Sequence, residues 1–216
     1  MAVTLVSETH DIGGRRTSSL MPVRMTGESP NSRPASCRAH LGGEDWLDMS
    51  LPASKTGGYV LHPDGGEAHP SFAGGGSFVI KATAEQTGGK FAAVEFRGPK
   101  GFGSPIHIHR DDDEFFVVLD GEVRFRLGDE DVDVGPRSFV YGPRGIAHGV
   151  TMNSGAARVL LFFGPAGVEE FFREAAAYVA TVPPGQAPDP KTMSEIAARY
   201  GQQNIGPPMP PRSLNS

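Results

Sequence analysis

From Phe78 onward, short apolar runs alternate with turn-forming residues. The runs Phe78–Thr83, Phe91–Phe96, Ile106–His109, Glu114–Leu119, Val123–Leu127, Val132–Val134, Ser138–Tyr141, His148–Met152 and Val159–Phe163 read as strands. They are separated by Gly88-Gly89, Gly98-Pro99, Asp120-Gly121, Gly128-Asp129, Gly135-Pro136, Pro143-Arg144-Gly145 and Asn153-Ser154-Gly155. Side chains on a strand alternate between faces, so Val123, Phe125 and Leu127 share one face and Glu122, Arg124 and Arg126 the other. That strand buries one side and wets the other. Val159–Phe163 is apolar on both sides and is expected to be fully covered. Many short strands with no 10–15-residue helix between them predict an all-β antiparallel sandwich or barrel rather than a parallel α/β sheet.

After Gly164-Pro165 the period changes. Val168, Phe171, Phe172 and Ala175 recur at helical spacing, with Glu169, Glu170 and Arg173 opposite, and Pro183-Pro184 ends that helix. A second short helix is expected from Lys191 to Tyr200, stopped by Gly201, and the tail Gly206–Pro211 is expected to be extended. Residues 1–48 show no sustained period and read as a disordered or non-native N-terminal arm, with translation starting at Met1 or near Met49. This divides the chain into an arm (1–48), a β-barrel with a Gly/Pro-rich lead-in (49–165), and C-terminal helices with an extended tail (166–216).

Composition narrows the function classes. The 216 residues, 38% hydrophobic with 13 Phe, suffice for one modest core. A net charge of −5 offers no basic excess to neutralise phosphates, so nucleic acid is not an expected partner. One cysteine, Cys37, excludes an intramolecular disulfide framework and a multi-Cys zinc site. No apolar run is long enough to span a bilayer, so no membrane partner is expected. The N-terminus lacks the basic start and apolar stretch of a secretory signal, and the residues after Arg15-Arg16 are polar. The expected location is the cytoplasm.

The chemistry-bearing residues converge. His107 and His109 are two apart on one strand, so both leave the same face. A turn, Arg110–Asp113, leads to Glu114, and the tight turn Pro143-Arg144-Gly145 precedes His148 on another strand. A single histidine on a strand is ordinarily structural. Three imidazoles and one carboxylate are instead a plausible donor set for a divalent transition metal.

The run Gly101-Phe-Gly-Ser-Pro-Ile-His107-Ile-His109-Arg-Asp-Asp-Asp-Glu114-Phe-Phe-Val-Val-Leu-Asp-Gly121 resembles the first motif of the cupin superfamily, G-x5-H-x-H-x4-E-x6-G, at every spacing. Pro143-Arg-Gly145-Ile-Ala-His148 resembles the centre of the second motif, P-x-G-x-x-H. The glycine usual six residues before that proline is replaced by Arg137, and the terminal asparagine lies one residue late, at Asn153. The resemblance spans about residues 75–165. It implies a jelly-roll (double-stranded β-helix) barrel and one metal per chain (Fe, Mn, Ni, Co, Cu or Zn) held by His107, His109, Glu114 and His148. It also implies a homodimer. The C-terminal pattern is similar to bacterial quercetin-dioxygenase-like small cupins.

By parity, Phe116 and Val118 share the face of Glu114, and Val150 and Met152 that of His148. With Phe125 they are expected to form an apolar pocket wall for a small-molecule substrate, or else simply barrel core. Glu114 is the candidate catalytic group, as ligand or as base. Asp111–Asp113 reads as a solvated acidic turn, and His62 and His69 as surface-loop residues. The expected function is a metal-dependent dioxygenase of a phenolic or enolisable molecule. The alternatives are a non-oxidative isomerase, cyclase or decarboxylase on the same metal, and a non-catalytic small-molecule-binding protein.

Overall fold

A computed structural model describes residues 57–69 and 75–212. The N-terminal arm expected at residues 1–48, and either start of translation, lie outside the described residues. The elements in chain order are β1 (Glu67–His69), β2 (Ser77–Ala82), α1 (Ala84–Thr87), β3 (Ala92–Gly98), β4 (Ile106–His109), β5 (Asp113–Asp120), β6 (Val123–Leu127) and β7 (Glu130–Val134). Next come β8 (Phe139–Gly142), β9 (His148–Met152), β10 (Ala157–Gly164), α2 (Glu169–Val179), α3 (Pro190–Arg199) and β11 (Gln202–Gly206). Two antiparallel sheets, ordered β1-β2-β3-β10-β5-β8 and β11-β4-β9-β6-β7, face each other as a jelly roll.

The alternating pattern sets which side chains enter the core. Val123 and Phe125 of β6 are buried, while Arg124 and Arg126 turn outward to Asp131. On β10, Val159, Leu161 and Phe163 point inward. Leu160 and Phe162 are only half-buried, so this strand is not fully covered as its apolar run suggested. Their outer face is partly shielded by neighbours such as the Phe91 ring, 6.3 Å from that of Phe162.

The helices do not stand apart from the barrel. Phe172 of α2 packs its ring 5.4 Å from Phe78, 5.4 Å from Phe96 and 5.8 Å from Phe163. Glu169, expected on the solvent side, is buried. Its carboxylate accepts from the backbone N–H groups of Ala84 (2.5 Å) and Gly167 (2.7 Å), satisfying two donors in one place. Asp189 caps α3 by accepting from Lys191 N (3.4 Å) and Thr192 N (3.0 Å), and Pro190 opens the helix.

Three elements have no counterpart in the hydrophobic pattern. α1 forms because Thr83, expected to end a strand, caps it in a reciprocal box with Gln86. β1 pairs with β2 and places His69 on a strand, its ring stacked 4.5 Å from Phe78, rather than in a loop. β11 adds to the free edge of β4, with Gln202 opposite His109 and Asn204 opposite His107. Among the described residues no helix is long and apolar enough to cross a membrane.

Candidate metal centre

β4 turns His107 and His109 into the barrel while Ile106 and Ile108 face the other way. β9 begins at His148, directly opposite His107 in register. One sheet thus supplies three imidazoles. Glu114, one residue into β5, reaches them from the other sheet. All four side chains are buried, and one donor atom from each lies within 4.8 Å of the others.

The turns that hold these strands interlock. Gly145 adopts φ +78, a conformation a side chain would strain, and its N–H donates to the His109 carbonyl at 2.8 Å. Arg144 in the same turn binds Asp113 through its backbone N–H and its guanidinium, at 2.9–3.0 Å. That ion pair holds the Asp113 carboxyl down to about 2. Of the three aspartates expected in a solvated turn, only Asp111 is exposed. Asp112 is buried, its Oδ2 3.8 Å from His109 Nδ1, which has no hydrogen-bond partner among the described residues. Burial pushes the Asp112 carboxyl above its ordinary value.

The donor set fits a metal ion. His107 Nδ1–H donates to the Pro105 carbonyl (2.8 Å) and His148 Nδ1–H to the Ile146 carbonyl (2.9 Å). These bonds fix the tautomers and leave both Nε2 atoms facing inward. There His148 Nε2 lies 2.8 Å from Glu114 Oε2, and His109 Nε2 lies 3.1 Å from the same oxygen and 3.2 Å from His107 Nε2. So many inward lone pairs around one point call for a cation among them, a proton or a metal ion.

The ionisation states agree. Burial works to raise the Glu114 pKa, but hydrogen bonds with the three histidines outweigh it and hold the carboxyl well below the usual range. At His107 burial outweighs the bond to Glu114 and lowers the pKa. At His148 burial is outweighed by the bond to Glu114, and the pKa rises.

The centre opens onto a cavity of about 760 Å³. Its floor includes His107, His109 and Glu114, and its walls include Phe96, Phe102, Phe163 and Phe172. The C-terminal segment supplies the remaining side, with Met193, Ser194, Gln202, Asn204 and the proline pair Pro207-Pro208. Val150, one of the five apolar residues expected around a pocket, lines this cavity. Phe116, Val118, Phe125 and Met152 are placed among the buried core side chains instead. The Phe116 ring lies 4.9 Å from Phe125 and 6.1 Å from His148, in the part of the barrel behind the centre. Parity identifies an inward face but not the end of the barrel on which a residue lies. The C-terminal wall was not found from sequence. Gln202–Gly206 carries one apolar residue, Ile205, and hence no strand periodicity; only the polar pair at positions 202 and 204 hints at a shared face.

Residues 94–163 match the family described as the cupin domain. A quercetin 2,3-dioxygenase from Bacillus subtilis (strain 168) is 28% identical over 115 residues, which cover 53% of this chain and 34% of that enzyme. The chain therefore aligns with only about a third of that relative's length. Among solved structures, the polyketide cyclase RemF from Streptomyces resistomycificus is similar at 22% identity and TM-score 0.43, over 49% of this chain and 78% of that one. A putative ethanolamine utilization protein from Salmonella typhimurium LT2 is similar at 21% identity and TM-score 0.43, over 53% and 92%.

Proposed function

Since residues 94–163 of this chain are a cupin domain, we propose that the protein is a metal-dependent dioxygenase of a phenolic or enolisable small molecule. The observation that carries this reading is the convergence of His107, His109, Glu114 and His148 on one point, with His107, His109 and Glu114 on the floor of a large, mainly apolar cavity. The similarity to a quercetin dioxygenase supports the same chemistry. His107, His109, His148 and Glu114 would hold one divalent transition metal, which supplies a Lewis-acidic centre and, if redox-active, access to O2.

The chain's own residues do the rest. The apolar walls seat a flat substrate and exclude bulk water, which strengthens the electrostatics at the floor. Glu114 is the only carboxylate among the described lining residues. It faces the cavity beside the metal ligands, and that position places it to accept the proton of a substrate hydroxyl. The same reading includes a cytoplasmic location and a homodimer. The surface offered for the dimer is the edge strand β8, where Phe139, Tyr141 and Leu119 of neighbouring β5 are exposed together.

Metal content by plasma mass spectrometry, with oxygen uptake in the presence of candidate phenols, tests the proposal. About one transition metal per chain is expected, lost in His107→Ala, with O2 consumed as substrate disappears. Turnover that continues unchanged without O2 would move the protein to non-oxidative enolate chemistry. Tight binding without turnover would make it a binding protein.

A further inference from the structure

We infer that β11 carries a hydroxyl-recognition subsite, in which Gln202, held by Asn204 and Ser194, selects a neutral ligand bearing an O–H group beside the metal centre. The inference rests on the cavity reading above and adds to it the residue that discriminates among ligands.

Register places the subsite. Gln202 pairs with His109 and Asn204 with His107 across the β11–β4 ladder. Directly opposed residues project from the same face of a sheet, roughly 5 Å apart at Cβ. Each histidine of this strand therefore has an amide side chain beside it. Both amides, with Ser194 of α3, line the cavity.

The amides are also oriented. Gln202 Nε2 donates to Asn204 Oδ1 at 2.8 Å, and Asn204 Nδ2 donates to Ser194 Oγ at 3.2 Å. This one-way chain uses the amide nitrogens as donors and leaves Gln202 Oε1 as an acceptor. No donor among the described residues reaches that oxygen, although Gln202 is only 7% exposed. That oxygen is not one of the buried atoms left without a partner, which among the described residues are His109 Nδ1 and Arg124 Nε, so it stays open to the cavity, where a ligand hydroxyl would take the place of water.

Charge sets the rest of the ligand class. No Lys or Arg is found among the described lining residues, so nothing but the metal would balance an anionic ligand. A carboxylate set against Gln202 Oε1 would face an acceptor with an acceptor. The surrounding Phe96, Phe102, Phe163, Phe172 and Met193 suit an apolar, planar body. The ligand that matches all of these is a neutral, ring-bearing molecule with a hydroxyl next to the oxygen that approaches the metal.

The test uses the metal-loaded protein without O2 and two neutral planar probes, 3-hydroxyflavone and flavone, which differ in one hydroxyl. Affinities are read by optical titration for wild type, Gln202→Met and Ser194→Ala. Wild type is expected to prefer the hydroxylated probe. Gln202→Met, which keeps the side chain's length and removes the acceptor, is expected to reduce that preference about tenfold while leaving flavone binding unchanged. Ser194→Ala should reduce it less, by loosening the relay. A preference equal in wild type and Gln202→Met overturns the subsite, as does failure of wild type to bind either probe. Metal content, measured on the same samples, reports separately on the centre. Wild-type protein that takes up no metal would defeat the dioxygenase reading, while the ratio of probe affinities would still decide the role of Gln202.

Discussion

Arg137 holds a backbone φ of +72, the left-handed region that suits glycine. It stands where the second motif usually has glycine, so the turn geometry is kept although the residue is not. Its N–H still donates to the Val118 carbonyl at 2.8 Å, which fastens the turn before β8 to β5. The left-handed region costs a residue with a side chain about 1–2 kcal/mol, partly offset because glycine loses more freedom on folding. Arg137→Gly should therefore stabilise the protein by about 0.5–1 kcal/mol, measured by urea unfolding; a loss of stability would contradict this account. The four candidate ligands were legible because strand parity sends His107 and His109 to one side and the two cupin-like motifs add Glu114 and His148. The burial of Asp112 was not legible, since an acidic triplet in a turn looks the same whether one member faces solvent or an imidazole. The raised His148 pKa gives a pH dependence of definite sign. Its folded value lies above its unfolded one, so in metal-free protein the stabilisation is full below the unfolded value and fades as pH rises through the folded value. Metal must displace that proton, so binding should release protons at mildly acidic pH and tighten as pH rises. Calorimetry in buffers of different ionisation enthalpy measures the release, and binding enthalpy independent of buffer would refute it.

At the scale of elements, α2 and β11 convert a barrel into a barrel with a walled mouth. The amphipathic period of α2 was readable, and so was its apolar face of Val168, Phe171, Phe172 and Ala175. What that face packs against was not, because Phe78, Phe96 and Phe163 come from three separate strands, two of them far from α2 in sequence. Phe172→Ala removes a ring that touches all three and is expected to cost about 3–5 kcal/mol, the range for a large core truncation. Thermal and urea unfolding measure it, and a cost under about 1 kcal/mol would show that α2 is only loosely docked. β11 is the opposite case. Its sequence is polar and short, and it becomes a strand because β4 presents a free edge, so backbone pairing substitutes for intrinsic propensity. Glu169 fits the same logic: a glutamate on an amphipathic helix reads as solvent-facing, and only the arrival of the Ala84 and Gly167 N–H groups makes its burial affordable.

At the scale of the molecule, the outer surface of β5 and β8 carries exposed aromatic side chains. Phe139 is 64% exposed and Tyr141 46%, and the Phe115 ring stacks 5.0 Å from that of Tyr141. An aromatic face beside a strand edge that no described strand pairs favours association. Light scattering at micromolar concentration should give twice the chain mass, and Phe139→Glu should shift it toward the monomer. A wild-type monomer would overturn the dimer.

The sequence by itself determined the β class, most strand positions, the two C-terminal helices and the four residues of the centre. The strands and helices rest on periodicity, and the four residues of the centre on spacing within two separate motifs that the cupin resemblance joins; such local rules survive folding. Tertiary structure alone decided which inward residues wall the cavity and which fill the barrel behind it. It also decided that Leu160 and Phe162 stay half-exposed, and that Gln202 and Asn204 stand beside His109 and His107. Those outcomes depend on contacts between residues far apart in the chain, where the free edge of one strand or the end of a barrel selects the partner and no local pattern records the choice.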